Sequence, residues 1–346
     1  MLGEGRGGLN DRKAIMSLSP DESSFDSSQF RGVHWSRLGD NFTFDRLVLQ
    51  GLSAEDTHAT AKAEAGRMFE AFERTLGANT ARLPVNPATA TTDWWDTYTG
   101  VIDAGIERGF RIVLSYWGED DTHGGGGRIP DLSTWNQMWD VVTSHYLSEP
   151  QVYFSLMNEP AYAVQEWVDM AAQWLVDRPS VPRNRVFIDG VHSEFAGPAN
   201  DLRPLCEDER LDGTYLGMHL YGFHLPYRAQ KEWISGLKTH LGDAGPRAVV
   251  EEFGARADTG IDFNDPAATD REASYLRAVT DTLRELNMGS IWCHVIGGRT
   301  TSPDHDELNI LRLHSSTANF PLWMPNVSAV DRLKHAWVSS RAQPPC

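Results

Sequence analysis

The sequence predicts an α/β fold, a single (β/α)8 barrel of the TIM type, and three observations carry that prediction. Short apolar runs alternate with amphipathic stretches of helix length from Phe30 to about Trp337. The runs number eight, and no Pro/Ser-rich linker or charge block divides them. Polar and aromatic side chains gather where the runs end, and the C-terminal ends of barrel strands are where such folds carry their chemistry. An open doubly wound sheet is the structural alternative, because periodicity does not show closure. The count of eight favours the barrel. The expected organisation is a polar N-terminal extension over residues 1–29 and one catalytic barrel over 30–346. Long loops follow the third and eighth strands, at 118–131 and 297–326.

The expected strands are 30–35, 79–85, 110–117, 151–158, 184–191, 214–221, 247–254 and 289–296. Helical patterns lie between them. In 61–77 Ala65, Met68, Phe69, Phe72 and Leu76 fall on one stripe that stops at Gly77. Further helices are expected near 94–108, 133–147, 163–177, 228–241, 268–287 and 327–338. The weakest link joins the fifth and sixth strands, where "GPANDLRPLCEDERLDG" reads as loop with at most one short helix.

Composition narrows the function. Of 346 residues, 40% are hydrophobic and 23% charged, an ordinary globular balance. A net charge of −17, from 31 basic and 48 acidic residues, repels nucleic acid and anionic membranes and favours neutral or cationic ligands. No apolar run of membrane-spanning or signal-peptide length occurs, so the chain is expected to be cytoplasmic, or secreted with its leader absent. Cys206, Cys293 and Cys346 show no zinc-type pair spacing, and Cys293 reads as a small buried hydrophobe. Asp120, Asp121 and His123 sit among glycines and read as a solvated loop rather than a metal site.

At the strand ends stand His34, Arg82, Trp117, Asn158, Glu159, His219, Tyr221, Glu251, Glu252 and Trp292. The fourth run, "QVYFSLMN", ends in Asn158-Glu159-Pro160. Proline has no N–H to continue a central ladder, and it steers the preceding residue to the extended region. Glu159 is therefore expected at the rim, extended, and it shares a site with Asn158 only if the strand end is irregular. The seventh run ends in Glu251-Glu252-Phe253-Gly254. Alternation sends the two glutamates to opposite faces. If Glu252 points into the mouth, Ala248 and Val250 line the interior and Glu251 faces the helices, in need of an arginine. Parity alone does not choose between them.

"LMNEP" at the fourth strand end, with "VEEFG" at the seventh, resembles clan A of the glycoside hydrolases, most of all family 5, the cellulase and mannanase family. The resemblance runs from about Phe30 to about Trp337, and includes Arg82 in "ARLP", His219 and Tyr221 in "HLY", and Trp292. It implies Glu159 as general acid/base and Glu252 as nucleophile of a retaining hydrolase acting on a β-type glycosidic bond, with no cofactor or metal. It further implies that Asn158 bonds the sugar 2-hydroxyl, and that Arg82 keeps the nucleophile ionised with Tyr221 in reach. His219 would orient the acid/base or the sugar, and Trp292 would floor the reacting sugar. His34 and Trp117 enter as substrate-site candidates by position alone. The third strand departs from the family's Asp-x-His type of ending, reading Leu114-Ser115-Tyr116-Trp117.

The chemistry requires such residues. Enzymes remove roughly 8–23 kcal/mol of barrier, and acid–base help of about 10²–10⁴-fold does not reach the upper end alone. A covalent intermediate splits the step, which places the two carboxyl groups roughly 5–5.5 Å apart. The partner is a carbohydrate; the sugar is not legible. A carbohydrate-binding barrel without turnover, a transglycosylase using the same intermediate, and a metal-dependent hydrolase with His34 and His219 as ligands are the rivals. The loop at 297–326 is expected to fold Phe320 or Trp323 over the mouth.

Overall fold

The computed structural model describes residues 25–118, 127–223, 225–299, 305–313 and 322–338. Eight strands form one closed parallel barrel: β1 Arg31–Leu38, β2 Thr80–Val85, β3 Arg111–Tyr116, β4 Val152–Ser155, β5 Val186–Asp189, β6 Tyr215–Tyr221, β7 Ala248–Gly254 and β8 Gly289–Gly298. Closure comes from β1, which pairs with β2 on one side and with β8 on the other, Val33 standing opposite both Ala81 and Trp292. The doubly wound alternative falls on that pairing.

The helices α1 His58–Leu76, α2 Trp94–Glu107, α3 Leu132–Tyr146, α4 Val164–Asp177, α5 Arg203–Cys206, α6 Gln230–Leu241, α7 Arg271–Leu286 and α8 Val327–Trp337 follow the strands in turn. Their limits are local chemistry. Thr57 and Thr60 cap the start of α1 reciprocally, and Gly77, at φ 78°, ends it. Asp131, Asp270 and Asn326 cap α3, α7 and α8. The fifth link is a hairpin, 191–193 against 197–201, followed by the single turn of α5. The prolines and the positive φ of Gly197 and Ala199 leave that segment no room for a long helix.

Apolar side chains fill two spaces. Outside the barrel wall, Trp35, Phe69, Phe72, Trp139, Trp167, Trp174 and Trp233 pack between strands and helices. Inside, a bottom layer of Val113, Tyr153, Phe187, Tyr215, Val249 and Ile291 is plugged by Phe25 and Phe30. The Phe30 ring meets Tyr153, Phe187 and Tyr215 edge-on at 5.1, 5.2 and 5.0 Å. This layer fills the N-terminal end of the barrel interior. Above it the interior turns polar: Arg82, Ser155, Asp189 and Glu251 are all fully buried. Among the described residues no helix is long and apolar enough to cross a membrane.

Because Phe30 fills the closed end, Phe30→Ala is expected to lose about 3–5 kcal/mol of unfolding free energy in a urea titration. A loss below about 1 kcal/mol would show that the plug is not part of the cooperative core.

Candidate active site

Strand β4 leaves the barrel ladder at Ser155, and three residues carry its end to the mouth. The Asn158 N–H donates to Tyr116 O at 2.7 Å. Glu159 does not take the extended conformation expected of a residue before proline: its φ is 47°. Two tertiary contacts hold it there. Its N–H donates to Asp189 Oδ2 at 3.2 Å, and its carbonyl accepts from Gly127 N–H at 3.1 Å. A left-handed non-glycine residue is costly and persists only where the surroundings over-determine it. This twist brings the adjacent Asn158 and Glu159 to one site.

The seventh strand solves a similar problem with a bulge, and here the alternation argument fails. Val250 pairs with Ser290 and Met218, but Phe253 pairs with Trp292 and Glu252 with His219. Glu251 is the extra residue. Both glutamates consequently face the interior, and Val249, not Ala248 and Val250, lines the barrel below them. Glu251 finds the arginine it needs inside the barrel rather than among the helices.

That arginine is Arg82. Its Nε donates to Glu251 Oε1 at 2.9 Å, Nη1 to Glu252 Oε1, and Nη2 to Asn158 Oδ1 at 2.9 Å. Tyr221 OH donates to Glu252 Oε2 at 2.9 Å. His219 Nδ1 lies 3.1 Å from Glu159 Oε1 and 3.4 Å from Glu252 Oε2, while its Nε2 lies 3.1 Å from Asp189 Oδ2 in ion-pair contact. Gly217 makes space for this layer, since a Cβ there would run into the Glu251 carboxyl group and approach Asp189 Oδ1 to 2.8 Å.

The electrostatics separate the carboxyl groups. Burial raises Glu159 to about 6, against the pull of His219. Burial also works against ionisation of Glu252, yet the cations His219 and Arg82, helped by His34, hold it well below the usual carboxylate range. Glu251, with burial outweighing Arg82 and with Asp189 beside it, is pushed up to about 8 and keeps its proton. His219 is held well above its ordinary value: burial opposes its charge, but Glu252 and Asp189 prevail.

His34 lies behind Glu252, its Nδ1 3.5 Å from Oε1, and burial lowers it to about 4. Trp117, at the end of β3, packs beside it, tilted against His34 at 5.3 Å and Phe42 at 4.7 Å. Trp292 is not brought to the site. On β8 Ile291 and Cys293 point inward, so the indole of Trp292 lies outside the wall, fully buried against Phe253, with Nε1 donating to Leu308 O at 3.0 Å. Cys293 takes the inward position, its Sγ 3.4 Å from His34 Nδ1. Burial raises its thiol well above the usual range.

Among the described residues, three sets of possible metal donors converge within 4.8 Å: His34, Cys293 and His294; Glu159, His219 and Glu252; and Asp189, His219 and Glu251. The carboxylates and His219 already answer one another and Arg82. Asp120, Asp121, His123 and Phe320 lie outside the described residues; Trp323 is exposed in a two-residue pairing with Arg312. A separate cavity of about 580 Å³ opens at the far end, lined by Phe25, Lys238, Pro246 and Met288 among others, and shares no residue with the mouth. Sequence reasoning passed over Asp189, although an acid ending the apolar run "VFID" was the signal for it.

Fold and site together define a closed parallel barrel with paired carboxyl groups at its C-terminal mouth. Residues 46–293 match the profile of cellulase, glycosyl hydrolase family 5. The chain belongs to that family, a family of glycosidases. No curated protein sequence matches it. Among solved structures it is similar to the catalytic domain of the major endoglucanase of Xanthomonas campestris pv. campestris (TM-score 0.64, 17% identity, 89% of this chain and 94% of that one). It is also similar to an endocellulase of Pyrococcus horikoshii in complex with cellotetraose (0.61, 15%, 89% and 92%). A third is a β-glucanase of Saccharophagus degradans, again with cellotetraose (0.59, 16%, 89% and 87%).

The raised carboxyl of Glu251 has a measurable signature. Its neutral form favours the folded state, so the contribution is full below its unfolded value near 4.3 and is lost as pH rises through about 8. Glu251→Gln is therefore expected to flatten the decline of unfolding free energy between pH 5 and 8. An unchanged slope in urea titrations across that range would contradict the assignment.

Proposed function

We propose that the protein is a retaining β-glycoside hydrolase acting on a β-linked glucan, with Glu252 as nucleophile and Glu159 as acid/base. One observation carries this reading: carboxylate oxygens of Glu159 and Glu252 lie within 4.8 Å of each other, and their surroundings drive their proton affinities in opposite directions. That spacing suits direct displacement rather than a water held between the two groups. A carboxyl that keeps its proton beside one that does not is the division of labour the two half-reactions need.

In the first half-reaction Glu252 attacks the anomeric carbon while Glu159 gives its proton to the departing oxygen. In the second, Glu159 takes a proton from water, which attacks the same carbon and releases Glu252. Arg82 and Tyr221 hold the Glu252 oxygens in place. Asn158 Nδ2 is buried and has no hydrogen-bond partner among the described residues, which leaves it available for the sugar 2-hydroxyl, with Oδ1 fixed by Arg82. Trp117 supplies an aromatic face at the mouth, while the floor under the reacting sugar is built from Cys293 and His34 in place of an indole. The preference for glucan rests on the cellotetraose complexes of similar structures.

With cello-oligosaccharides and aryl β-glycosides as substrates, Glu159→Gln is expected to lower kcat/KM on unactivated substrates by roughly 10²–10⁴-fold. Glu252→Gln is expected to lose turnover on all of them. Wild-type turnover in both variants would refute the site. The kcat/KM profile should be bell-shaped, its alkaline limb following Glu159 at about 6 and its acid limb following Glu252 below the usual carboxylate range. Proton NMR of the first product formed should show the β-anomer, and an initial α-anomer would refute retention.

A further inference from the structure

We infer that Asp189, at the end of β5, is the positioning residue of the acid/base, holding the backbone of Glu159 and its histidine partner through a single carboxylate. The inference rests on the function proposed above and adds a residue to it. Asp189 Oδ2 accepts the Glu159 N–H at 3.2 Å and lies 3.1 Å from His219 Nε2, whose other nitrogen is 3.1 Å from Glu159 Oε1. The three residues thus close a ring: carboxylate to backbone, backbone to its own side chain, side chain to imidazole, imidazole back to carboxylate. Glu159 needs such a hold. At φ 47° its backbone relaxes toward the extended region unless its N–H is retained inside the barrel.

Asp189 is itself fixed from below and behind. It is fully buried; Oδ1 faces Ser155 Oγ at 3.4 Å and the proton-bearing Glu251 carboxyl, and Oδ2 is 3.7 Å from Arg82 Nη2. The Trp167 indole donates to its carbonyl at 2.9 Å. The Glu251 carboxyl converges on the same space as Asp189 and His219, and with burial raising it to about 8 it brings no second charge to the layer beneath Glu159. This accounts for an otherwise unused buried acid pair beneath the site. Asp189 touches no substrate, and its effect passes through Glu159.

The test exploits leaving-group chemistry. A general acid matters in proportion to the basicity of the departing oxygen, so misplacing Glu159 harms unactivated glycosides and spares dinitrophenyl glycosides, whose leaving group departs without a proton. Asp189→Ala is expected to lose roughly 10²-fold in kcat/KM on cellotetraose, the lower end of what acid catalysis supplies, with a far smaller loss on the dinitrophenyl glycoside. Asp189→Asn keeps one oxygen for the Glu159 N–H and loses less, roughly tenfold, with the same bias. It also carries the test if the alanine variant does not fold. Equal losses on both substrates, or no loss on cellotetraose, would overturn the inference. Glu159→Gln, run in parallel, separates the two levels. If it shows no leaving-group bias the proposed function fails, whereas bias in Glu159→Gln without bias at Asp189 removes only the positioning role.

Discussion

A guanidinium with no access to water organises this molecule. Arg82 is fully buried, and a charge in that position is tolerated only when every donor is answered. Its three nitrogens reach Glu251, Glu252 and Asn158, contributed by β7 and the end of β4. Neither strand supplies those groups in regular geometry. Strand β7 inserts an extra residue so that two successive carboxyl groups face inward, and β4 ends in a left-handed glutamate. The irregularities that shape the site are thus the ones that satisfy the arginine.

Charge then settles by proximity. Arg82 and His219 are cations among four carboxyl groups, and burial forbids all four from ionising together. Glu252, in reach of both cations, stays ionised, whereas Glu251 and Glu159 hold their protons into higher pH. One layer of side chains inside a barrel therefore holds an ionised carboxylate beside a carboxyl group that keeps its proton, the pairing that the proposed mechanism uses. The apolar plug beneath, built on Phe30, keeps water from entering at the other end and weakening these interactions.

The sequence displayed the barrel well, since alternation of period and eight strand-length runs are properties of the wall, and the wall is regular. It displayed Glu159, Glu252, Arg82, Asn158, His219 and Tyr221 through strand-end position and the two motifs. It misled wherever the backbone departs from regularity. Period-two counting separated Glu251 from Glu252 because a bulge leaves no mark in residue spacing. The rule for residues before proline failed at Glu159, where tertiary hydrogen bonds overrule a local preference. Trp292 was misplaced by one residue: the inward parity set by Ile291 gives the mouth to Cys293 and sends the indole to the helices. Asp189 escaped because a lone acid at a strand end carries no motif, and what singles it out is its contacts with residues of four other strands.

Everything in the mechanism depends on which carboxylate bonds to sugar. Incubation with a 2-deoxy-2-fluoro glycoside bearing a good leaving group stalls a retaining enzyme after its first step, and peptide mass spectrometry then locates the adduct. Attachment of one fluorosugar to Glu252 is the predicted result. An adduct on Glu251, or complete turnover with inversion and no adduct, would contradict the account.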